Sequence, residues 1–151
     1  MIISFFRLDF GEKKWALKAI VWLLWSKWTV KTRSFLAIRR VLGRPLSVKE
    51  RPEFTLSPHE KVMAMTIRRA LCRARRIVFW KKSICLVHAM AASRLLAEKK
   101  IPYVLTIGTQ KEAMFLQAHA WVVCGDIPIV GVPESQGFTA TVHFINDPTI
   151  H

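Results

Sequence analysis

The stretch SICLVHAM (83–90) holds a cysteine, Cys85, at what reads as the first turn of a helix; QAHAWVV (117–123) holds a histidine, His119, inside what reads as a strand. A thiol and an imidazole are the two groups that covalent acyl transfer by cysteine needs: the thiolate attacks a carbonyl carbon, and the ring moves protons. Ser83 is the expected N-cap, which places Cys85 second in its helix. The unpaired N–H groups there carry partial positive charge and favour the thiolate. The N–H of Cys85 would also serve an oxyanion. His88 is the nearer base in sequence and shares roughly one helical face with Cys85. Its side chain leans back over the preceding turn, away from an attack trajectory. His119 is better placed, because a strand beside a helix N-terminus presents its ring from a separate, rigid element. Gln117 and Trp121, two positions to either side, point the same way as His119. Trp121 would shield the ring or floor a substrate groove. Gln117 would donate a hydrogen bond to an oxyanion or orient the ring.

The elements that must hold these groups are legible in the pattern. Ser57, Pro58 and Glu60 spell a capping box with proline at the first helical position. Apolar residues then recur at Met63, Ile67, Ala70, Leu71, Ala74 and Ile77, which is helical spacing for a core-facing stripe. Cys72, within that helix, reads as a buried structural thiol. The Cys85 helix is expected to run to about Lys100, where Lys99 and Lys100 suit its C-terminal end and Pro102 follows. From there the chain reads as strands: YVLTIGT, FLQAHAWVV, IPIVGV and FTATVHFI. The last alternates Phe138, Ala140, Val142 and Phe144 against Thr139, Thr141 and His143, a half-buried antiparallel strand. CGD (124–126) reads as a hairpin turn with Cys124 exposed in it. Helices first and strands second make an α+β layout. Two parts are expected: residues 1–55, basic and helical, for docking on a partner or a membrane, and residues 56–151, carrying the chemistry.

Composition narrows the function classes. Twenty-four Lys and Arg against ten Asp and Glu give a formal charge of +14, which implies an acidic partner, an anionic membrane surface or nucleic acid. No recognised nucleic-acid module or aromatic–basic platform is present, so nucleic acid is set aside. Three scattered cysteines, none in a CxxC pair, argue against a disulfide framework and a structural zinc. The histidines show no ligand spacing, and no glycine loop suits a nucleotide phosphate, so neither metal nor cofactor is expected. A cytoplasmic location, peripheral at the inner membrane face if the basic helices dock there, fits this composition. In WALKAIVWLLWSKW (15–28) the longest unbroken apolar run is Ala19 to Trp25. A span needs roughly 20 residues, so this is a buried helix or one lying on an interface.

The pieces CLVHAMAASRLLAEKKIPYVLTIGT, AHAWVVCGDIPIVG and FTATVHF resemble the transglutaminase-like leader peptidases of lasso peptide biosynthesis, over about residues 57–145. The resemblance implies a papain/transglutaminase-like core with N-terminal helices and an antiparallel sheet. It implies a cysteine peptidase that removes the leader from a ribosomally made precursor peptide, cutting one residue past a threonine near the leader's end. A separate small leader-recognition protein would hold the leader, as in the short, split form of the family. A macrolactam cyclase resembling asparagine synthetase would then close the ring, using ATP. Carried over by position, Cys85 is the nucleophile and His119 the base.

The family's third member is an aspartate on the strand after the histidine. A hairpin turning at Cys124 to Asp126 pairs His119 with a residue near Gly131, where no carboxylate stands. Asp126 has the matching type but stands six or seven strand residues away, or roughly 20 Å at about 3.3 Å each. Glu134 is nearer in register but lies in an irregular stretch. A backbone carbonyl or a side-chain amide is the remaining way to orient the ring. Two other classes compete: a non-catalytic transglutaminase-like peptide-binding module, which the missing acid favours, and a basic membrane-associated protein, which the charge and the Trp-rich front favour.

Overall fold

A computed structural model describes residues 9–78, 85–112 and 114–146. Helix α1 spans Phe10–Thr32, α2 Phe35–Leu42, α3 Pro58–Ile77 and α4 Cys85–Glu98. Strands are β1 (Arg44–Leu46), β2 (Val104–Glu112), β3 (Phe115–Cys124), β4 (Ile127–Val130) and β5 (Thr139–Ile145). The strands form one sheet in the order β1-β5-β2-β3-β4, and every pairing is antiparallel. The architecture is α+β, as the element order implies.

Helix α3 begins where the capping box places it. The Glu60 backbone N–H donates to Ser57 Oγ at 3.3 Å, and the Ser57 N–H donates to Glu60 Oε2 at 2.7 Å. Hydrogen bonding to the carboxylate, first from the Ser57 backbone N–H and then from the Ser57 side chain, holds the Glu60 carboxyl below its ordinary range. Helix α4 is buried on nearly every side, from Val87 through Ser93 and again at Leu95 and Leu96. Its run of alanines lets α1 and the sheet approach it from opposite sides. Leu105, Val122 and Phe144 stand abreast on β2, β3 and β5 and face this helix.

Helix α1 meets its neighbours through Ala16, Ala19, Leu23, Ser26 and Thr29. Glu98 of α4 accepts from Lys18 Nζ at 2.8 Å and from Trp22 Nε1 at 2.7 Å. Arg73 of α3 donates to Glu12 at 2.9 Å. Ala19, Leu23, Ile38 and Leu42 belong to the same apolar cluster as α3, α4 and the sheet. The core therefore runs without a break across position 55. Strand β1, which follows α2, pairs Arg44, Pro45 and Leu46 with Ile145, Phe144 and His143. The buried Tyr103 hydroxyl donates to the Leu42 carbonyl at 3.2 Å and closes the end of α2 against the sheet.

Three expectations are corrected by packing. Cys72 is exposed, because Leu71 and Ala74 take the core-facing positions of α3. Cys124 is buried, because β3 extends through it and its side chain falls on the face of Ala120 and Val122. The turn is Gly125–Asp126, and burial pushes the Cys124 thiol up to about 12. In β5 the simple alternation fails. The register shifts between Ile107 and Gly108, so Val142 pairs Ile107 while Ala140 pairs Gly108. This bulge at Thr141 switches which face the preceding residues occupy. His143, which follows the bulge and keeps its face, is buried where β1 pairs beside it, with Nδ1 2.8 Å from Thr106 Oγ1.

Candidate active site

Cys85 is the first residue of α4; the proposed cap, Ser83, lies outside the described residues. The side chain is partly buried against the main apolar cluster. Its Sγ lies 4.0 Å from the Ala118 carbonyl oxygen of β3. The thiol thus rests at the residue next to His119.

The side of β3 on which this contact falls can be worked out from the ladder. Carbonyls two apart in a strand point the same way, so those of Ala118 and Ala120 share a direction. The Ala120 carbonyl points toward Gly131, close enough that a Cβ at Gly131 would lie 2.6 Å from it. Both carbonyls therefore face the β4 side. Strand β4 has already ended at that level, its last pair being Val122 with Val130. The sulfur occupies the edge of β3 that β4 leaves open.

His119 reaches the same edge from the other face. Ala120, Val122 and Cys124 turn into the helix-side core, so His119, Trp121 and Val123 turn away from it. The ring lies with Nε2 2.8 Å from the Gly131 carbonyl oxygen. A carbonyl only accepts, so Nε2 carries a proton, and Nδ1 of the neutral ring keeps the basic lone pair. Among the described residues no hydrogen bond joins Sγ to the imidazole.

Aromatic neighbours fix the ring further. Trp121 stacks beside it at 6.0 Å between centroids, and Phe138 tilts against it at 5.2 Å. Gly108, directly across from His119, makes room for Trp121: a Cβ there would come within 2.7 Å of the indole. Phe138 and Gly108 carry no chemical signature in the sequence. Phe138 reaches the ring because the bulge at Thr141 turns it to this face. Gln117 points elsewhere, donating from Nε2 to Glu112 at 2.7 Å.

Neither proposed carboxylate meets His119. Asp126 is exposed at the β3–β4 turn, and Cys124, two residues before it, pairs with Ile127. It is thus held at the far end of β3 from His119, where it lines an open cavity of about 670 Å³ with Arg51, Phe54, Leu56 and Lys61. Glu134 is exposed in the short 3-10 turn Pro133–Ser135. The ring's partner is the backbone of Gly131.

His88 is buried within α4. Burial, reinforced by the charge of Arg75 and partly offset by that of Glu134, pushes it down to about 4. It is neutral at pH 7 and a poor proton acceptor. Among the described residues, no group of three His, Cys, Asp or Glu side chains could hold a metal ion.

A family model described as the transglutaminase-like superfamily matches residues 20–143. No curated protein and no solved structure matches the chain.

Proposed function

We propose that this chain, which belongs to the transglutaminase-like superfamily, is a cysteine peptidase that removes the leader from a ribosomally made lasso precursor peptide. It would act with a separate leader-recognition protein and hand the core peptide to a macrolactam cyclase. The superfamily includes cysteine hydrolases and transferases, and the sequence pieces around Cys85 and His119 carry the resemblance to the leader peptidases. The single observation that supports the chemistry is the meeting of two elements at one open strand edge: Cys85 Sγ at the Ala118 carbonyl, and the next residue, His119, with its ring held at the Gly131 carbonyl.

In this reading the Cys85 proton passes to His119 Nδ1, and the thiolate attacks the scissile carbonyl. The Cys85 backbone N–H, at the first residue of α4, stabilises the oxyanion. The imidazolium then gives its proton to the departing amine of the core peptide, leaving the leader as a thioester. The neutral ring next takes a proton from water; the hydroxide displaces the thiolate, and the leader leaves with a free carboxylate. The Gly131 carbonyl fixes tautomer and orientation throughout. It supplies no negative charge.

That last point favours one second reading, a peptide-binding module that keeps the fold without turnover. The two separate in one experiment. A lasso precursor is incubated with its leader-recognition protein and either wild-type protein or Cys85→Ala, then followed by mass spectrometry and by leader-binding anisotropy. The peptidase reading expects cleavage by wild type, none by C85A, and equal leader binding by both. Equal binding with no cleavage by either protein would establish the binder instead.

A further inference from the structure

Helix α1 is apolar on two sides, and only one of them is used by the fold. Its inner side is taken by α3 and α4 through Ala16, Ala19, Leu23, Ser26 and Thr29. Three of its tryptophans are also engaged with α4. Trp22 bonds Glu98, Arg94 lies over the Trp22 and Trp25 rings at 5.9 and 5.1 Å, and Lys99 lies over Trp15 at 5.3 Å. The outer side carries Phe10, Leu17, Val21, Leu24 and Trp28, each more than half exposed. Their spacing of seven, four, three and four places them on one narrow stripe, about 27 Å long at 1.5 Å per residue.

From Lys13 onward the charges around this stripe have one sign; the carboxylates Asp9 and Glu12 stand at its Phe10 end, Glu12 paired with Arg73. Between Lys13 and Lys49 the chain has no Asp or Glu. Lys14 lies on one flank of the stripe, and Lys13 and Lys31 on the other. Lys14 and Lys31 are exposed. Helix α2 repeats the arrangement: Ile38 and Leu42 turn inward, while Phe35, Leu36, Arg39 and Arg40 are exposed. No described helix is long and apolar enough to cross a membrane.

We infer that this outer side of α1, continued by α2, is a docking surface for an anionic lipid bilayer. The aliphatic and aromatic side chains enter the headgroup boundary, while lysines on both flanks lie level with lipid phosphates and carboxylates. A second copy of the chain is a poor occupant, because it would set lysine against lysine in a molecule already at +14. A straight stripe edged by cations on both sides, with a tryptophan at its end, fits a flat anionic boundary. This inference is independent of the chemistry proposed for Cys85.

The test uses the full chain and vesicles of phosphatidylcholine, with or without phosphatidylserine, in a flotation assay. Wild type should float with the anionic vesicles and not with the neutral ones, and added salt should weaken the association. Val21→Glu/Leu24→Glu and, separately, Lys14→Glu/Lys31→Glu should each weaken it by at least about tenfold. All four positions are exposed, so circular dichroism and thermal midpoints should stay at wild-type values. Equal binding to neutral vesicles, or anionic binding unchanged by both double variants, would overturn the inference. So would stripe-dependent dimerisation in sedimentation, or stripe-dependent binding of polyglutamate, in a protein that ignores vesicles.

Discussion

Replacing Gly131 with alanine tests the site at the point where backbone and chemistry meet. Gly131 has φ +73°, a left-handed conformation that costs an L-residue about 1–2 kcal/mol. The new Cβ would also lie 2.6 Å from the Ala120 carbonyl oxygen and 3.2 Å from both His119 Nε2 and Trp121 Cα. The 2.6 Å approach is to backbone, so either the Gly131 peptide or β3 must move. Conformation and contact together are worth about 2–3 kcal/mol, a drop in thermal midpoint of roughly 5–10 °C for a chain of this length. Any such movement withdraws the carbonyl that holds Nε2. Displacing a proton-transfer group by about 1 Å costs up to roughly 100-fold in rate, so turnover should fall about 10- to 100-fold beyond any loss of folded protein. Iodoacetamide alkylation across pH, mapped by mass spectrometry, reads the thiol directly. Cys72→Ser is the background of choice, because Cys72 is exposed, while Cys124 is buried and silent. Gly125→Ala is the control: it too has positive φ, at +54°, and its Cβ would lie 2.8 Å from the Phe54 carbonyl, far from His119. Both variants should lose stability, and only G131A should change the Cys85 profile. An unmoved profile in G131A, or an equal change in G125A, would refute the assignment of the Gly131 carbonyl as the anchor of the ring.

Two further outcomes follow from titrating groups in the core. His88 is held at about 4, well below its ordinary 6.5, chiefly by burial. The unfolded chain therefore takes up a proton that the folded chain refuses. The His88 contribution to stability is full above pH 6.5 and declines as pH falls toward 4, by about 2–3 kcal/mol. Urea unfolding at pH 7 and pH 4.5 should show that decline in wild type and a smaller one in His88→Gln; identical declines would count against it. Burial raises the Glu98 carboxyl, but hydrogen bonds from Lys18 and Trp22 and the charges of Lys18 and Lys99 outweigh this and hold it below its ordinary value. Its contribution is therefore present above the unfolded carboxylate pKa and lost as pH falls through the folded one. Glu98→Ala should cost about 1 kcal/mol at neutral pH, mainly through the Trp22 bond because the Lys18 pair is partly exposed. Salt should remove only a minor share of that cost, and a fully salt-sensitive loss in thermal scans would show that the ion pair dominates.

The parts of this fold written in side-chain pattern were legible in the sequence. Ser57, Pro58 and Glu60 fix the start of α3 because capping is local chemistry. β2 to β5 emerge at nearly their expected positions because their apolar runs and turns are also local. What was not legible depends on partners distant in sequence. Arg44-Pro45-Leu46 is a strand only because β5 lies beside it. Phe138 changes face because one extra residue enters the β5 ladder opposite β2. Cys124 is buried because β3 runs one residue further than the glycine after it suggested. At the site, Cys85 and His119 stand out by residue type, whereas the group that holds His119 is a main-chain oxygen, and every residue has one. Gly131 carried a faint signal: a glycine at the hairpin position opposite the histidine, where the family pattern asks for a carboxylate.

The exchange of a carboxylate for a carbonyl has a definite chemical consequence. Both accept the Nε2 proton and so leave Nδ1 as the base, and both keep the ring from turning. Only the carboxylate also neutralises the imidazolium formed when the thiol gives up its proton. In the proposed reaction that positive charge would face a dipole, in a protein that already carries an excess of cations. The burden of stabilising charge separation therefore shifts to the other partner. In the proposed reaction the thiolate would have the N-terminal end of the α4 dipole and the same positive excess to stabilise it. A peptidase built this way leans on its helix to activate sulfur and on its strand to orient a proton carrier. A binder built this way would have no need of either the Gly131 carbonyl anchor or the aromatic clamp of Trp121 and Phe138 around His119.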